Sequence, residues 1–169
     1  MTPLSEHPGA LQERSAPWLQ PEDQLLWRAY AAANSRLVGQ LDSELTEAHG
    51  LSLPEYEVLA HLNEAPSRQL RMSELALLCG LSPSGLTRRF DAMTRRGLVD
   101  RRRCEDDRRG VWATLSDEGH RRLIEALPTH VEGVHRYFFD VLNADHRAVL
   151  AEAFGRISAA VVSRQSGSR

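Results

Sequence analysis

The stretch from Met72 to Ser116, MSELALLCGLSPSGLTRRFDAMTRRGLVDRRRCEDDRRGVWATLS, constrains this chain more than any other part of it. Leu75, Ala76 and Leu78 have helical apolar spacing, Ser73 stands where an N-cap belongs, and Gly80 supplies a left-handed stop. Ser82 and Pro83 then restart a helix, the serine as cap and the proline at the first position, where its missing N–H costs nothing. Leu86, Phe90 and Met93 recur at i, i+4 and i+7 and so predict one buried stripe. Ser84, Thr87, Arg88 and Arg95 are left on other faces. Beyond Gly97, Leu98-Val99 and Val111 to Leu115 are short runs rich in β-branched residues, joined by a charged turn from about Glu105 to Gly110.

Helix, tight turn, helix and hairpin follow one another as they do in a winged helix-turn-helix. In that arrangement one helix enters the DNA major groove, and the hairpin reaches the neighbouring backbone and minor groove. Charge points the same way. Between Arg68 and Arg109 stand eleven arginines against six acids, so this segment carries +5 in a chain whose net charge is −2. A basic module inside an otherwise acidic chain is the electrostatic footprint of phosphate binding. A charge-rich segment alone is usually just a solvated face; its coincidence with this element order is what points to DNA. All 21 basic residues are arginine, but a GC-rich coding genome produces that usage too, so it carries no weight here.

The 169 residues, 41% of them hydrophobic, suffice for one domain or for one protomer of an intertwined dimer. No apolar run approaches membrane-spanning length and no charged-then-apolar leader is present, so a cytoplasmic location with no membrane partner is expected. Two cysteines are too few for a disulfide scaffold. Residues 1–20, with Pro3, Pro8 and Pro17, read as a loose arm. Pro21-Glu22-Asp23 opens a helix that runs to Gly50, and the capping box Ser52-Leu53-Pro54-Glu55 opens the next, through about Leu62. Residues 51–115 form the winged helix-turn-helix. Ser116 caps a long helix to about Val141, bent or broken near Pro128, and Asn143 or Ala144 starts a last one. The fold class expected is therefore mainly α with a small β-hairpin wing. Dimerisation helices flank the module at 21–50 and 116–163, and 164–169 are a tail.

The flanking helices carry Phe138, Phe139, Val141, Leu142, Val149, Leu150, Phe154 and Ile157, more apolar surface than one helical layer hides. Packing against the same helices of a second chain covers it. A two-fold dimer also presents two recognition helices to successive major grooves, which calls for a pseudo-palindromic duplex. Within the recognition helix, Arg88 is the expected base reader, because arginine grips guanine O6 and N7 bidentately. Ser84 and Thr87 are short enough for base edges or phosphates, Ser82 caps the helix at the DNA, and Gly85 lets its backbone approach closely. Arg89, Arg95 and Arg96 are expected at phosphates or in solvent.

The run from Leu51 to Leu115 resembles the multiple-antibiotic-resistance regulator (MarR) family of bacterial transcription factors. Ser82-Pro83-Ser84-Gly85-Leu86-Thr87-Arg88, Gly97-Leu98-Val99, the wing tip Asp107-Arg108-Arg109 and the exit Leu115-Ser116-Asp117-Glu118-Gly119 carry the likeness. It extends more loosely over about residues 20–163. The resemblance implies that Arg109 enters the minor groove while Asp107 holds an arginine of the wing or recognition helix in place. It also implies a small aromatic or phenolic effector, for which Trp27, Tyr30, Tyr56 and His61 are candidate lining residues and Arg71 a candidate anion partner. Each of these five is more often a core or interface residue by type. The reading is of a ligand-responsive homodimeric regulator, most simply a repressor.

Two other readings remain open. Cys104 follows three arginines, which favour its thiolate, so a thiol-based redox regulator is one. Peroxide-sensing family members carry their cysteine near the start of the first helix, and this chain has none there. A winged-helix module that binds protein is the other, distinguished by salt-insensitive binding. His130 and His135 lie five apart, off the spacing for a shared helix face, and no metal or other cofactor is expected. No Gly-rich phosphate loop or nucleophile elbow suggests an enzyme.

Overall fold

A computed structural model describes residues 19–103 and 110–166. The described residues fall into two units that divide between Ser35 and Arg36. The first contains the opening turns of α1 (Pro21–His49), where Glu22 and Asp23 face the positive end of the helix dipole. Leu25, Leu26, Trp27 and Tyr30 are all exposed there.

The second unit continues from α1 into α2 (Leu53–Glu64), β1 (Gln69–Arg71), α3 (Met72–Leu78) and α4 (Pro83–Arg95). The hairpin strands β2 (Val99–Arg103) and β3 (Val111–Leu115) follow, then α5 (Asp117–Val134), a π-helical turn at His135–Phe139 and α6 (Ala144–Ser166). The three strands form an antiparallel sheet in the order β1-β3-β2. Its inner face contributes Leu70, Val99, Ala113 and Leu115 to a single core. Leu45 of α1, Leu59 and Leu62 of α2, Leu75 of α3 and Leu123 of α5 complete it with the α4 stripe. Leu86, Phe90 and Met93, expected as that stripe, are all fully buried.

Local chemistry accounts for most element boundaries. Ser82 Oγ accepts from the Gly85 N–H at 3.1 Å, and Ser116 Oγ from the Gly119 N–H at 2.9 Å, so both serines cap as expected. The Glu55 carboxylate accepts from the Ser52 N–H at 3.0 Å, the glutamate half of the capping box. Asn143 Oδ1 accepts from the His146 N–H at 2.8 Å and opens α6. Gly80 and Gly97 close α3 and α4 at φ +62° and +71°, a region that a Cβ disfavours.

Two expectations need correction. Ser73 is not a cap: α3 starts two residues earlier than such a cap would place it, with Arg71 at the N-cap and no side-chain bond there. The other is the long helix: α5 is not broken at Pro128 and ends at Val134, where a π turn at His135–Phe139 follows. The sheet also has a strand beyond the hairpin, because Gln69–Arg71 pairs with Thr114, Ala113 and Trp112 as its third strand. Most of the charged turn, including Cys104, Asp107, Arg108 and Arg109, lies outside the described residues, as do the arm through residue 18 and residues 167–169. Among the described residues, no helix is long and apolar enough to cross a membrane.

Candidate nucleic-acid interface

The outward face of α4 follows from its buried one. With Leu86, Phe90 and Met93 turned into the core, Ser84, Thr87 and Arg88 lie at i, i+3 and i+4 on the opposite side, all exposed. Ser82 and Ser84 hydroxyls sit 3.3 Å apart at the start of that face. Gly85 lies beside them, and a Cβ there would come within 3.1 Å of Ser82 Oγ. The glycine therefore protects the helix cap, a role separate from close approach to DNA. Arg89 is partly buried, and its charge acts on the thiol of Cys79.

Asp91 extends the same face to i+7, and there the structure adds a residue that the sequence reading missed. Arg101 Nη1 on β2 donates to Asp91 Oδ1 at 2.5 Å, and Nη2 donates to the Thr87 carbonyl at 3.2 Å. Its guanidinium also lies 5.3 Å from the centroid of the Phe90 ring. One arginine thus ties the wing strand to the recognition helix along two turns. The signal was present in strand alternation, since Arg101 is two residues from the buried Val99 and so shares the inner face.

Arg96 is exposed and is also tied to other parts of the chain. Its Nη1 donates to Glu55 Oε1 at 2.8 Å and its Nη2 to the Gly50 carbonyl at 2.6 Å. Both hydrogen bonds of this guanidinium therefore bind the C-cap of α4 to the α1–α2 junction. On the other side of that junction, Arg122 of α5 donates to the His49 carbonyl, and His49 Nε2 meets Thr129 Oγ1 at 2.8 Å. Arg96→Ala is expected to lower stability by about 1 kcal/mol, the value of charge-assisted bonds at a partly exposed site. It should leave the salt dependence of DNA binding unchanged. A binding slope shallower by about one unit would return Arg96 to the phosphate backbone.

The five effector candidates are divided between the two units. Trp27 and Tyr30 belong to the first unit, with ring centroids 5.7 Å apart. Tyr56 is buried in the core of the second and stacks on His130 at 4.4 Å, where burial raises its phenol pKa and lowers that of the imidazole. His61 is partly buried on α2. The Arg71 guanidinium lies 4.4 Å from the Trp112 ring centroid. Tyr56 thus has a core role, and Arg71 stacks on the wing sheet. Cys79 is half-buried, and burial, reinforced by Glu57, pushes its thiol up to about 11 despite the opposing Arg89 charge. This thiol stays protonated and unreactive near neutral pH.

A winged helix-turn-helix with helical extensions at both ends is the class these elements define. The model of the MarR family matches residues 49–110. The solved structure of Sco3205, a MarR family transcriptional regulator from Streptomyces coelicolor in complex with DNA, is 35% identical with a TM-score of 0.82. That match covers 85% of this chain and 94% of that one. The repressor YetL of Bacillus subtilis is 30% identical over 64% of this chain and 67% of its own length. The repressor MprA of Escherichia coli is 29% identical over 56% of this chain, which spans only about half of MprA, 53%. The chain belongs to the MarR family, whose members are transcription regulators and not enzymes.

Proposed function

We propose that this chain is a homodimeric repressor that binds a pseudo-palindromic DNA duplex through α4 and the wing and is released by a small aromatic anion. The observation that carries the reading is the division of α4. One side is locked into the core by Leu86, Phe90 and Met93, while Ser84, Thr87 and Arg88 stand exposed on the other. A helix held this rigidly presents its side chains to a groove at little entropic cost. Arg88 reads a guanine, and Ser84 and Thr87 contact neighbouring base edges or phosphates. Arg108 and Arg109 at the wing tip reach the backbone and minor groove, with Asp107 orienting an arginine.

The dimer accounts for the apolar surface of the flanking helices. Phe154, Ile157 and Val161 form an i, i+3, i+7 stripe along α6, exposed by 38%, 58% and 51% in the single chain. The printed names of MprA and YetL as repressors, and the crystallisation of Sco3205 with DNA, support the regulatory reading. Trp27, Tyr30, Tyr56, His61 and Arg71 are the residues proposed to meet the effector, and Trp27 and Tyr30 are the exposed ones among them.

The test uses the duplex that the purified protein enriches from a randomised pool. On it, Arg88→Ala should lose about 1–3 kcal/mol of binding and relax base preference at one position per half-site. On unselected DNA the same change should cost far less. Equal losses on both would remove Arg88 from base reading.

A further inference from the structure

The end of α1 is gripped by two other helices. The last carbonyls of a helix have no partner within it, and they form the negative end of its dipole. Here the His49 carbonyl accepts from Arg122 Nη2 of α5, and the Gly50 carbonyl accepts from Arg96 Nη2 at 2.6 Å. Arg96 is the C-cap of α4. Its other arm, Nη1, donates to Glu55 Oε1 at 2.8 Å, while Glu55 Oε2 accepts from the Ser52 N–H at 3.0 Å. One carboxylate therefore caps α2 and holds the recognition helix at the same time. Asp42 Oδ1 of α1 accepts from the Leu53 N–H at 2.7 Å, which binds α1 to the start of α2 as well.

This junction stands apart from the exposed Ser84–Thr87–Arg88 face. Eight residues, about 12 Å of helix axis, separate Arg96 from Arg88. The Leu86–Phe90–Met93 stripe decides which side of α4 is buried, but apolar contact is non-directional. Directed bonds at the C-terminal end add what the stripe does not, the tilt of the helix about its buried side. Arg101 ties the middle of α4 to the wing. Arg96 ties its end to α1 and α2, the fixed fork of the guanidinium reaching both acceptors at once. Arg122, on the neighbouring carbonyl, belongs to the helix that leads to the apolar stripe of α6.

We infer that Arg96 is a positioning residue for DNA reading. Through Glu55 and the Gly50 carbonyl it sets the tilt of α4 against α1, and so the spacing at which two recognition helices meet one duplex. Glu55 shares this role, although its own charge would repel a phosphate. The inference rests on the homodimeric DNA-binding reading above.

The test measures binding of the full chain to a series of duplexes in which the enriched half-sites are moved together or apart by single base pairs. Wild type should favour the enriched spacing over each altered one. Arg96→Gln and Glu55→Gln should each reduce that preference about fivefold, the scale of coupling carried by one such contact. A loss of stability alone would weaken binding at every spacing alike. Glutamine at position 55 still suits the capping box but offers one acceptor oxygen in place of two, so capping Ser52 releases Arg96. It also removes a negative charge, so its effect cannot come from lost attraction to DNA. The salt slope of both variants should remain that of wild type. A slope shallower by about 0.9 per chain in Arg96→Gln alone, with spacing preference intact, would make Arg96 a phosphate contact and overturn the inference. If Arg96→Gln melts early, Glu55→Gln decides the matter. A normally melting Glu55→Gln that keeps the wild-type spacing preference would also overturn the positioning role, while leaving the DNA-binding reading intact. A wild-type chain that enriches no inverted repeat would instead overturn the homodimeric reading and this inference with it.

Discussion

Ile157→Asp is expected to convert the protein into monomers near the 19.0 kDa mass of one chain and to weaken binding to the enriched duplex at least about a hundredfold. The size of the effect comes from two sources. A carboxylate in the middle of the α6 apolar stripe must be desolvated wherever that stripe is covered, which no partner on an apolar surface offsets. Losing the dimer then turns two linked half-site contacts into one, and the gain from linkage is typically 10²- to 10⁴-fold. The described part of α6 contributes no buried residue within the single chain, so the winged module should keep its fold and its circular dichroism. Sedimentation equilibrium and anisotropy on the same samples check both halves. A variant that stays dimeric would place the interface elsewhere.

Gly119→Ala is expected to be the most destabilising methyl-sized change in the DNA-binding half of the molecule. A Cβ at this position would lie 2.0 Å from the Leu98 carbonyl oxygen and 2.9 Å from Leu115 Cδ1. The first obstacle is backbone and cannot rotate away. Leu98 is moreover fixed by its neighbours: its carbonyl accepts from the Ser116 N–H at 3.3 Å, and Ser116 Oγ donates to the Gly97 carbonyl at 2.6 Å. Relief therefore requires α5 to move off the turn between α4 and β2, taking the sheet register with it. Overpacking of this kind costs about 3 kcal/mol, which lowers the melting temperature by roughly 10 °C in a chain of this size. Calorimetry of the variant tests this; a shift of under about 2 °C would mean that α5 approaches the turn less closely.

That glycine illustrates what the sequence made legible. The Leu115-Ser116-Asp117-Glu118-Gly119 exit was recognisable as a pattern, and its serine as a cap, but the reason for the glycine is contact with Leu98, twenty-one residues earlier. The α4 stripe and both serine caps were readable because the interactions that decide them lie within one or two helical turns. β1 was not, because three residues have no periodicity of their own; Gln69, Leu70 and Arg71 become a strand only by pairing with β3. The same limit explains Arg96. Its position suggested phosphate or solvent, and its partners within the chain, Glu55 and Gly50, are 41 and 46 residues away. Arg101 is a different case, since strand alternation with Val99 carries a signal for its inner-face position that the sequence reading did not use. For the effector candidates, the family resemblance and residue type do not show which side chains lie in the core, as Tyr56 does, or stack on the sheet, as Arg71 does on Trp112.

The central claim is that two copies of α4 read one duplex together, and the sequence enriched from a randomised pool tests it most directly. The account predicts an inverted repeat whose half-site centres lie about one helical turn apart, roughly 10–10.5 base pairs. Two chains should bind per duplex, with affinity falling steeply as salt rises. A single asymmetric site occupied by one chain, or no enriched sequence at all, would contradict it.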